Sequence, residues 1–300
     1  MFEFEDSFKF NSVVVLESLP PGDFRTGTEL YDQILVPAAA ADRRTVVLEQ
    51  VPDMASFRSA LSRLAREAKT LPRWPVVHIE AHGHQGVGLL LANGDRLRWE
   101  ELFQDLAALN LATRFNLLVV VSACWGADLV GILRPDRPAP VWALIGPTSE
   151  MPASQLLAAF KALYSELLAS GDGVVAIEAM RGAIQRGGHL AFLPAEIIFR
   201  AVFFRYVIEH CQGVPLQQRI DSIFEAIVEK DPGAAANEAS VRKWLETTID
   251  DHAAHFERRK ADYFMFAAIP ENRLRIKCQY SDGPPAAYRT YLSTHARPDR

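Results

Sequence analysis

The sequence predicts an α/β fold: a mostly parallel sheet with helices on both faces, followed by a helical C-terminal extension. Three observations predict it. Short apolar runs, partly β-branched, recur at residues 11–18, 45–51, 76–81, 117–123 and 141–145, as strands buried on both faces of a parallel sheet do. Stretches of helical period lie between most of them and can supply the crossovers that parallel strands require. From Ala195 onward the strand pattern gives way to long helical periods. The expected division is therefore a sheet domain over residues 1–193 and a helical extension over 194–300, regulatory, partner-binding or packed on the sheet.

Taken in order, Phe2, Phe4, Phe8 and Phe10 keep one parity and suggest an extended leading segment. The first strand, NSVVVLES, runs into the Pro20-Pro21-Gly22 loop, and TGTELYDQIL reads as a helix capped by Thr28. After the TVVLEQV strand, Asp53 caps a helix whose apolar face is Phe57, Leu61, Leu64 and Ala68. Asn93-Gly94 between two short strand-like runs predicts a hairpin beside the third strand. Trp99, Leu102, Phe103, Leu106 and Leu109 make the next helical stripe. A short helix follows the Leu117–Ala123 run, then helices over 152–169 and 172–186, the latter stopped by Gly187-Gly188, and a last strand at 190–193. The extension divides into helices over 195–211, 216–230 and 238–266, before a tail rich in proline and charge. Glu196, Arg200, Arg205 and Glu209 make the first of these a packing helix rather than a membrane span.

The 300 residues, 49% hydrophobic and 23% charged, suffice for a sizeable core. A formal net charge of −5 argues against a general nucleic-acid or anionic-membrane surface. Cys124, Cys211 and Cys278 are odd in number, widely spread and without metal-type pairing, so a disulfide framework is not expected and a reducing, cytoplasmic setting is. The acidic start MFEFEDSFKF lacks a basic region followed by an apolar one, so no signal peptide is expected. No Walker-type phosphate loop occurs, which removes nucleotide hydrolysis from the expected functions.

The candidate chemistry lies between Pro75 and Gly126. One apolar run delivers His82 and Gly83; a later one delivers Cys124, preceded by Ser122-Ala123 and followed by Trp125-Gly126. If the two strands are parallel, both residues stand at strand carboxyl ends, the edge where open α/β sheets place ligands. A thiol and an imidazole then share one crevice, as a cysteine nucleophile requires.

These residues resemble the caspase-like cysteine proteases, the group of caspases, metacaspases and CHAT-type proteases: a strand ending in His-Gly, a hairpin, a helix, and a strand ending in Ala-Cys-x-Gly. The 42-residue spacing is slightly under the roughly 50 of the caspase signature. Where caspases carry Gln-Ala-Cys-Arg-Gly, this chain reads Ser122-Ala123-Cys124-Trp125-Gly126, nearer the prokaryotic relatives. The resemblance covers residues 12 to about 190. It implies a caspase-like sheet and a cysteine endopeptidase with Cys124 as nucleophile and His82 serving the leaving amine. It further implies an oxyanion hole from the Gly83 and Cys124 amides, and neither cofactor nor metal. The partner it implies is a protein substrate; in a prokaryotic defence or cell-death pathway, a gasdermin-like pore-former would be one candidate. The stretch Asp23–Glu29 resembles the caspase Arg-Ser-Gly-Thr-Asp segment, which would make Arg25 a pocket residue favouring an acidic side chain by bidentate pairing. Ser122 stands where metacaspase-like enzymes that cut after basic residues carry aspartate, which disfavours a basic preference and leaves acidic and apolar ones open.

Two other readings stand beside this one. The chain could be an inactive protease-fold module acting through its helical part, or a metal-dependent hydrolase using His78, His82 and His84 with Glu80 or Asp95. Against the latter, His78 lies far enough back to be a satisfied core histidine. Cys211 and Cys278 are expected only to pack, and His252 and His255 to lie on a solvated helix face.

Overall fold

The computed structural model describes residues 8–42, 44–184 and 189–286. The chain divides into two compact units, Met1–Leu133 with Ala139–Ala195, and Arg134–Pro138 with Glu196–Arg300. The expectation for Phe2 and Phe4, the Gly187-Gly188 stop and most of the C-terminal tail fall outside the described residues.

The first unit is built on strands β1 (Ser12–Ser18), β2 (Thr45–Gln50), β3 (Pro75–His84), β4 (Gly88–Leu90), β5 (Arg96–Arg98), β6 (Leu118–Ser122), β7 (Ala143–Pro147) and β8 (Leu190–Pro194). The spatial order is β2-β1-β3-β6-β7-β8, parallel except for the last pair, with β4 and β5 a hairpin on the far end of β3. Val13, Val15, Val76, Leu118, Val120, Ala143 and Ile145 share one apolar cluster with Leu156, Phe160, Leu163 and Tyr164. The alternate residues Val14, Leu16, Val77, Ile79, Val119 and Val121 are buried as well, so both faces are covered.

The helices of this unit are α1 (Thr26–Leu30), α2 (Val36–Asp42), α3 (Met54–Thr70), α4 (Trp99–Ala112), α5 (Ala153–Ser170) and α6 (Gly173–Gly182). Asp53 caps α3 as expected, accepting from the Ser56 N–H at 2.7 Å while the Ser56 hydroxyl lies near the Asp53 N–H, an arrangement worth about 1 kcal/mol. Asp172 caps α6 through the Val174 and Val175 N–H groups, and α6 ends at Gly182, short of residue 186. At α1 the expectation needs correction. The helix begins at Thr26, two residues before the expected cap, and continues through a π-helical turn, Tyr31–Leu35, into α2. Thr28 is inside it, and the Thr26 and Thr28 hydroxyls go to buried carboxylates instead of capping.

The second unit contains α7 (Ala195–His210), α8 (Gly213–Lys230), α9 (Glu238–Asp250), α10 (His252–Tyr263) and α11 (Asn272–Arg275), α7 starting at the unit boundary. Its centre is aromatic: Phe199 lies 4.9 Å from Phe256, 5.1 Å from Tyr263 and 5.3 Å from Phe264 between ring centroids. Such pairs each add about 0.5–1.5 kcal/mol beyond area burial. The single helix expected over 238–266 is broken at Asp251, whose carboxylate accepts from the Ala254 N–H and starts α10. His255 is not on a solvated face. It is half-buried, stacked on Tyr206 at 5.6 Å. Cys211 and Cys278 are buried. Among the described residues no helix is long and apolar enough to cross a membrane.

Candidate active site

The site follows from strand register. β3 and β6 pair in parallel from Val76↔Leu118 to Glu80↔Ser122, so His82 and Cys124 each stand two residues beyond the same rung. Up to Glu80, β3 pairs with both β1 and β6, and Ala81 still pairs with β1; beyond it the strand turns to pair with β4, placing His82 opposite Leu90. This swerve exposes His82 at the sheet edge while the strand behind it is buried.

Gly83 explains its own identity. A Cβ there would lie 1.8 Å from the Cys124 carbonyl oxygen and 3.1 Å from the Cys124 nitrogen, so the two main chains touch and no side chain fits between them. Cys124 is half-buried, with Sγ 3.8 Å from the Met151 carbonyl oxygen. The chain then turns through Trp125, which holds φ +60°, a costly conformation for a bulky residue and one that concentrates at functional sites. The bend is secured from three sides: the Gly126 N–H donates to Ala123, the Asp128 N–H to Trp125, and the Asp128 carboxylate accepts from the Gly86 N–H at 2.9 Å. Asp128 therefore ties the loop after His82 to the loop after Cys124.

A crevice of about 300 Å³ opens between these elements. Its lining includes His82, Gly83, Cys124 and Ser122, the apolar side chains Leu19, Phe24, Met151 and Leu156, and the acids Asp23 and Glu80. Asp23 arrives on the loop after β1; because β1 runs parallel beside β3, that loop leaves the sheet at the same edge. Its Oδ2 lies 2.7 Å from His82 Nε2, an exposed pair.

Beneath the crevice is a buried polar network. Glu80 accepts from the Thr26 hydroxyl at 2.7 Å and faces His78 Nε2 at 2.9 Å, while His78 Nδ1 lies 3.1 Å from the Tyr164 hydroxyl. Burial, with the Glu80 carboxylate adding to it, pushes the Tyr164 hydroxyl well above its ordinary pKa. Tyr164 thus stays a donor to Nδ1, and Nε2–H donates to Glu80, satisfying every member. Glu17, also buried, accepts from the Thr28 N–H and hydroxyl at 2.9 Å each and from Gln50 at 2.7 Å.

Of the residues expected from the sequence, the structure brings together His82, Gly83, Ser122 and Cys124. It does not bring Arg25 to them. The Arg25 guanidinium lies 3.3 Å from Glu17 and 2.9 Å from Gln50, and the crevice takes Asp23, Phe24 and Thr26 from that loop but not Arg25. The buried Glu17 carboxylate attracts it inward. Nor do the three histidines converge: His78 has both ring nitrogens occupied inside the core, and no group of three or more candidate metal ligands occurs among the described residues. Sequence reading missed the contribution of Asp23, though its place after the first strand was a usable signal. The roles of Asp128 and Thr26 had no local signal.

No family model matches the chain, and no curated protein matches it. Among solved structures it is similar to a secreted C11 cysteine protease from Bacteroides thetaiotaomicron, "iotapain", at 11% identity and a TM-score of 0.46, over 67% of this chain and 71% of that one.

Proposed function

We propose that the chain is a cysteine endopeptidase of the caspase-like kind, acting on a protein substrate. The observation that carries this reading is the contact of the Gly83 and Cys124 main chains at adjacent parallel strand ends, which sets an imidazole and a thiol over one crevice. The Cys124 thiolate attacks the scissile carbonyl carbon, and the negative charge that develops on the carbonyl oxygen is met by the Gly83 and Cys124 N–H groups. The C–N bond breaks as His82 delivers a proton to the leaving amine, leaving a thioester on Cys124. Water, deprotonated by His82, then releases the acid and restores the thiol. Asp23 is a positioning residue: with Nε2–H donated to its carboxylate, Nδ1 is the nitrogen left to take and return the proton.

The crevice supports a preference for uncharged, apolar side chains. Its walls are largely apolar, its acids are Asp23 and Glu80, no lysine or arginine is in its lining, and Arg25 is turned away to Glu17. A cytoplasmic setting belongs to the same reading, supported by three cysteines that are all free thiols.

The test is peptide hydrolysis by purified protein with Cys124→Ala and His82→Ala variants. Each is expected to lower turnover by roughly a thousandfold or more with the thermal midpoint unchanged, and a thiol-reactive probe is expected to label Cys124. Turnover retained in Cys124→Ala overturns the proposal.

A further inference from the structure

Two cavities in the second unit share Tyr206 and Arg219 in their linings. The larger, about 370 Å³, is lined by Arg134, Arg205, Arg219 and His210, with Glu209 as the single acid in its lining. The smaller, about 180 Å³, is walled mainly by apolar groups, among them Ile223, Leu245 and Ile249. The lining carries three guanidiniums and one carboxylate, within a chain whose net charge is −5.

Arg219 makes this more than a surface tally. It is half-buried, donates to the Tyr206 hydroxyl and to Cys211 Sγ at 3.3 Å, and lies over the Tyr206 ring at 5.1 Å. A phenol, a sulfur and a ring face hold the guanidinium in place, and none is a carboxylate that would answer its charge. Arg134 pairs with Asp136 at 3.7 Å, a long contact that is not part of the lining. A separate observation points the same way. His255, stacked on Tyr206 on the apolar side, has its pKa driven down to about 4 by burial first and then by Arg259, Arg258, Arg219 and His252. Positive charge from two helices, α8 and α10, thus converges on His255 and the Tyr206 ring it stacks on.

We propose that these two cavities, on either side of Tyr206 and Arg219, together bind a phosphate-bearing small molecule with an apolar or aromatic body. Arginines recognise phosphoryl oxygens by paired N–H donors, and a mostly apolar recess with a few convergent polar groups is the usual form of a small-molecule site. The Tyr206 ring and the Ile223–Leu245–Ile249 wall suit the body, and Arg134, Arg205 and Arg219 suit the phosphate. A soluble organic phosphate and a phospholipid headgroup share this chemistry.

Calorimetric titration of the full chain separates the sources. The probes are adenosine diphosphate, inorganic pyrophosphate, phosphatidic acid vesicles against phosphatidylcholine vesicles, and sulfate at matched ionic strength. Saturable binding of adenosine diphosphate, at least tenfold tighter than pyrophosphate and weakened fivefold or more by Arg134→Gln and by Arg219→Gln, supports a soluble ligand. Binding only to phosphatidic acid vesicles, lost in the same variants, supports a headgroup. Arg134 has a side chain 63% exposed, so its replacement leaves the fold intact, as unchanged peptide hydrolysis and circular dichroism verify. Binding unaffected by either variant, sulfate binding as well as the phosphates, or no binding of any probe overturns the proposal.

Discussion

The two units keep histidines from water in opposite electrical surroundings. In the sheet unit, His78 is held between the Glu80 carboxylate and the Tyr164 hydroxyl, with Glu17 buried on the neighbouring strand. In the helical unit, His255 lies against Tyr206 with Arg219, Arg258 and Arg259 as its charged neighbours. The difference teaches how each architecture gathers polar groups. Parallel strands all end at one edge, so register sets Glu17 beside Glu80 and brings β3 and β6 to the points from which His82 and Cys124 leave the sheet. Helices gather charges by packing together, so the cations around His255 come from α8 and α10 with no shared register.

If register makes the sheet edge, its most sensitive point is the place where two main chains touch. Gly83→Ala is therefore expected to have the largest effect among the changes considered below. The added methyl must displace Cys124, moving the Gly83 and Cys124 N–H groups and the Cys124 thiol, which under the proposed mechanism means a loss of about 10²–10³ in kcat, with a lowered thermal midpoint. Steady-state peptide hydrolysis reads it. Wild-type turnover in this variant would mean that the strand ends are not in contact, and the comparison would lose its first half.

The legibility of the sequence follows the same divide. β1, β2, β3, β6 and β7, the hairpin around Asn93-Gly94 and the Asp53 and Asp172 caps could be read because each is written in consecutive residues, as an apolar run, a turn pair or a cap. That His82 and Cys124 line one crevice could be read because each follows such a run. What was not legible depends on groups far apart in sequence. Thr26 and Thr28 look like helix caps until Glu80 and Glu17, on other strands, claim their hydroxyls. His255 looks solvated until α7 brings Tyr206 onto it. Arg25 looks free until the buried Glu17 draws it in.

The next effect is on stability. His78→Ala leaves the Tyr164 hydroxyl and one Glu80 oxygen without partners in the core and opens a cavity, a cost of about 3 kcal/mol and a midpoint lower by roughly 6–12 °C. Thiol labelling of Cys124 in the folded fraction should persist, since His78 is in the interior and His82 at the edge. An unchanged midpoint would show that the carboxylate network contributes nothing to the fold. His255 supplies the opposite case. Its folded pKa near 4 is below the ordinary 6.5, so the unfolded chain takes up a proton that the folded one refuses. Stability from this group is complete above 6.5 and is lost as pH falls from there toward 4. Because the ring is only half-buried, the loss is on the order of 1 kcal/mol after solvent screening. The difference between thermal midpoints at about pH 7.5 and about pH 5 should be smaller for His255→Gln than for wild type; an identical acid shift in both would mean that burial and the neighbouring arginines do not hold this ring neutral.

The smallest effect, Arg25→Ala, decides how the crevice selects. In the structure Arg25 answers Glu17 rather than the crevice, and the pair is uneven: the Arg25 side chain is 39% exposed and that of Glu17 is 0%. Once Arg25 is removed, Glu17 still accepts from the Thr28 N–H, the Thr28 hydroxyl and Gln50, so its charge is not left unanswered and the cost should stay under about 1 kcal/mol. Peptide-library profiling of wild type and Arg25→Ala should then give the same order of apolar preferences, because neither Asp23 nor Glu80 would welcome an acidic side chain beside them. An aspartate preference that vanishes in the variant would mean that substrate draws the guanidinium away from Glu17 and into the crevice. Selection would then follow a charge that the unbound structure keeps elsewhere, and the sheet edge would be no more preorganised than the helical cavity.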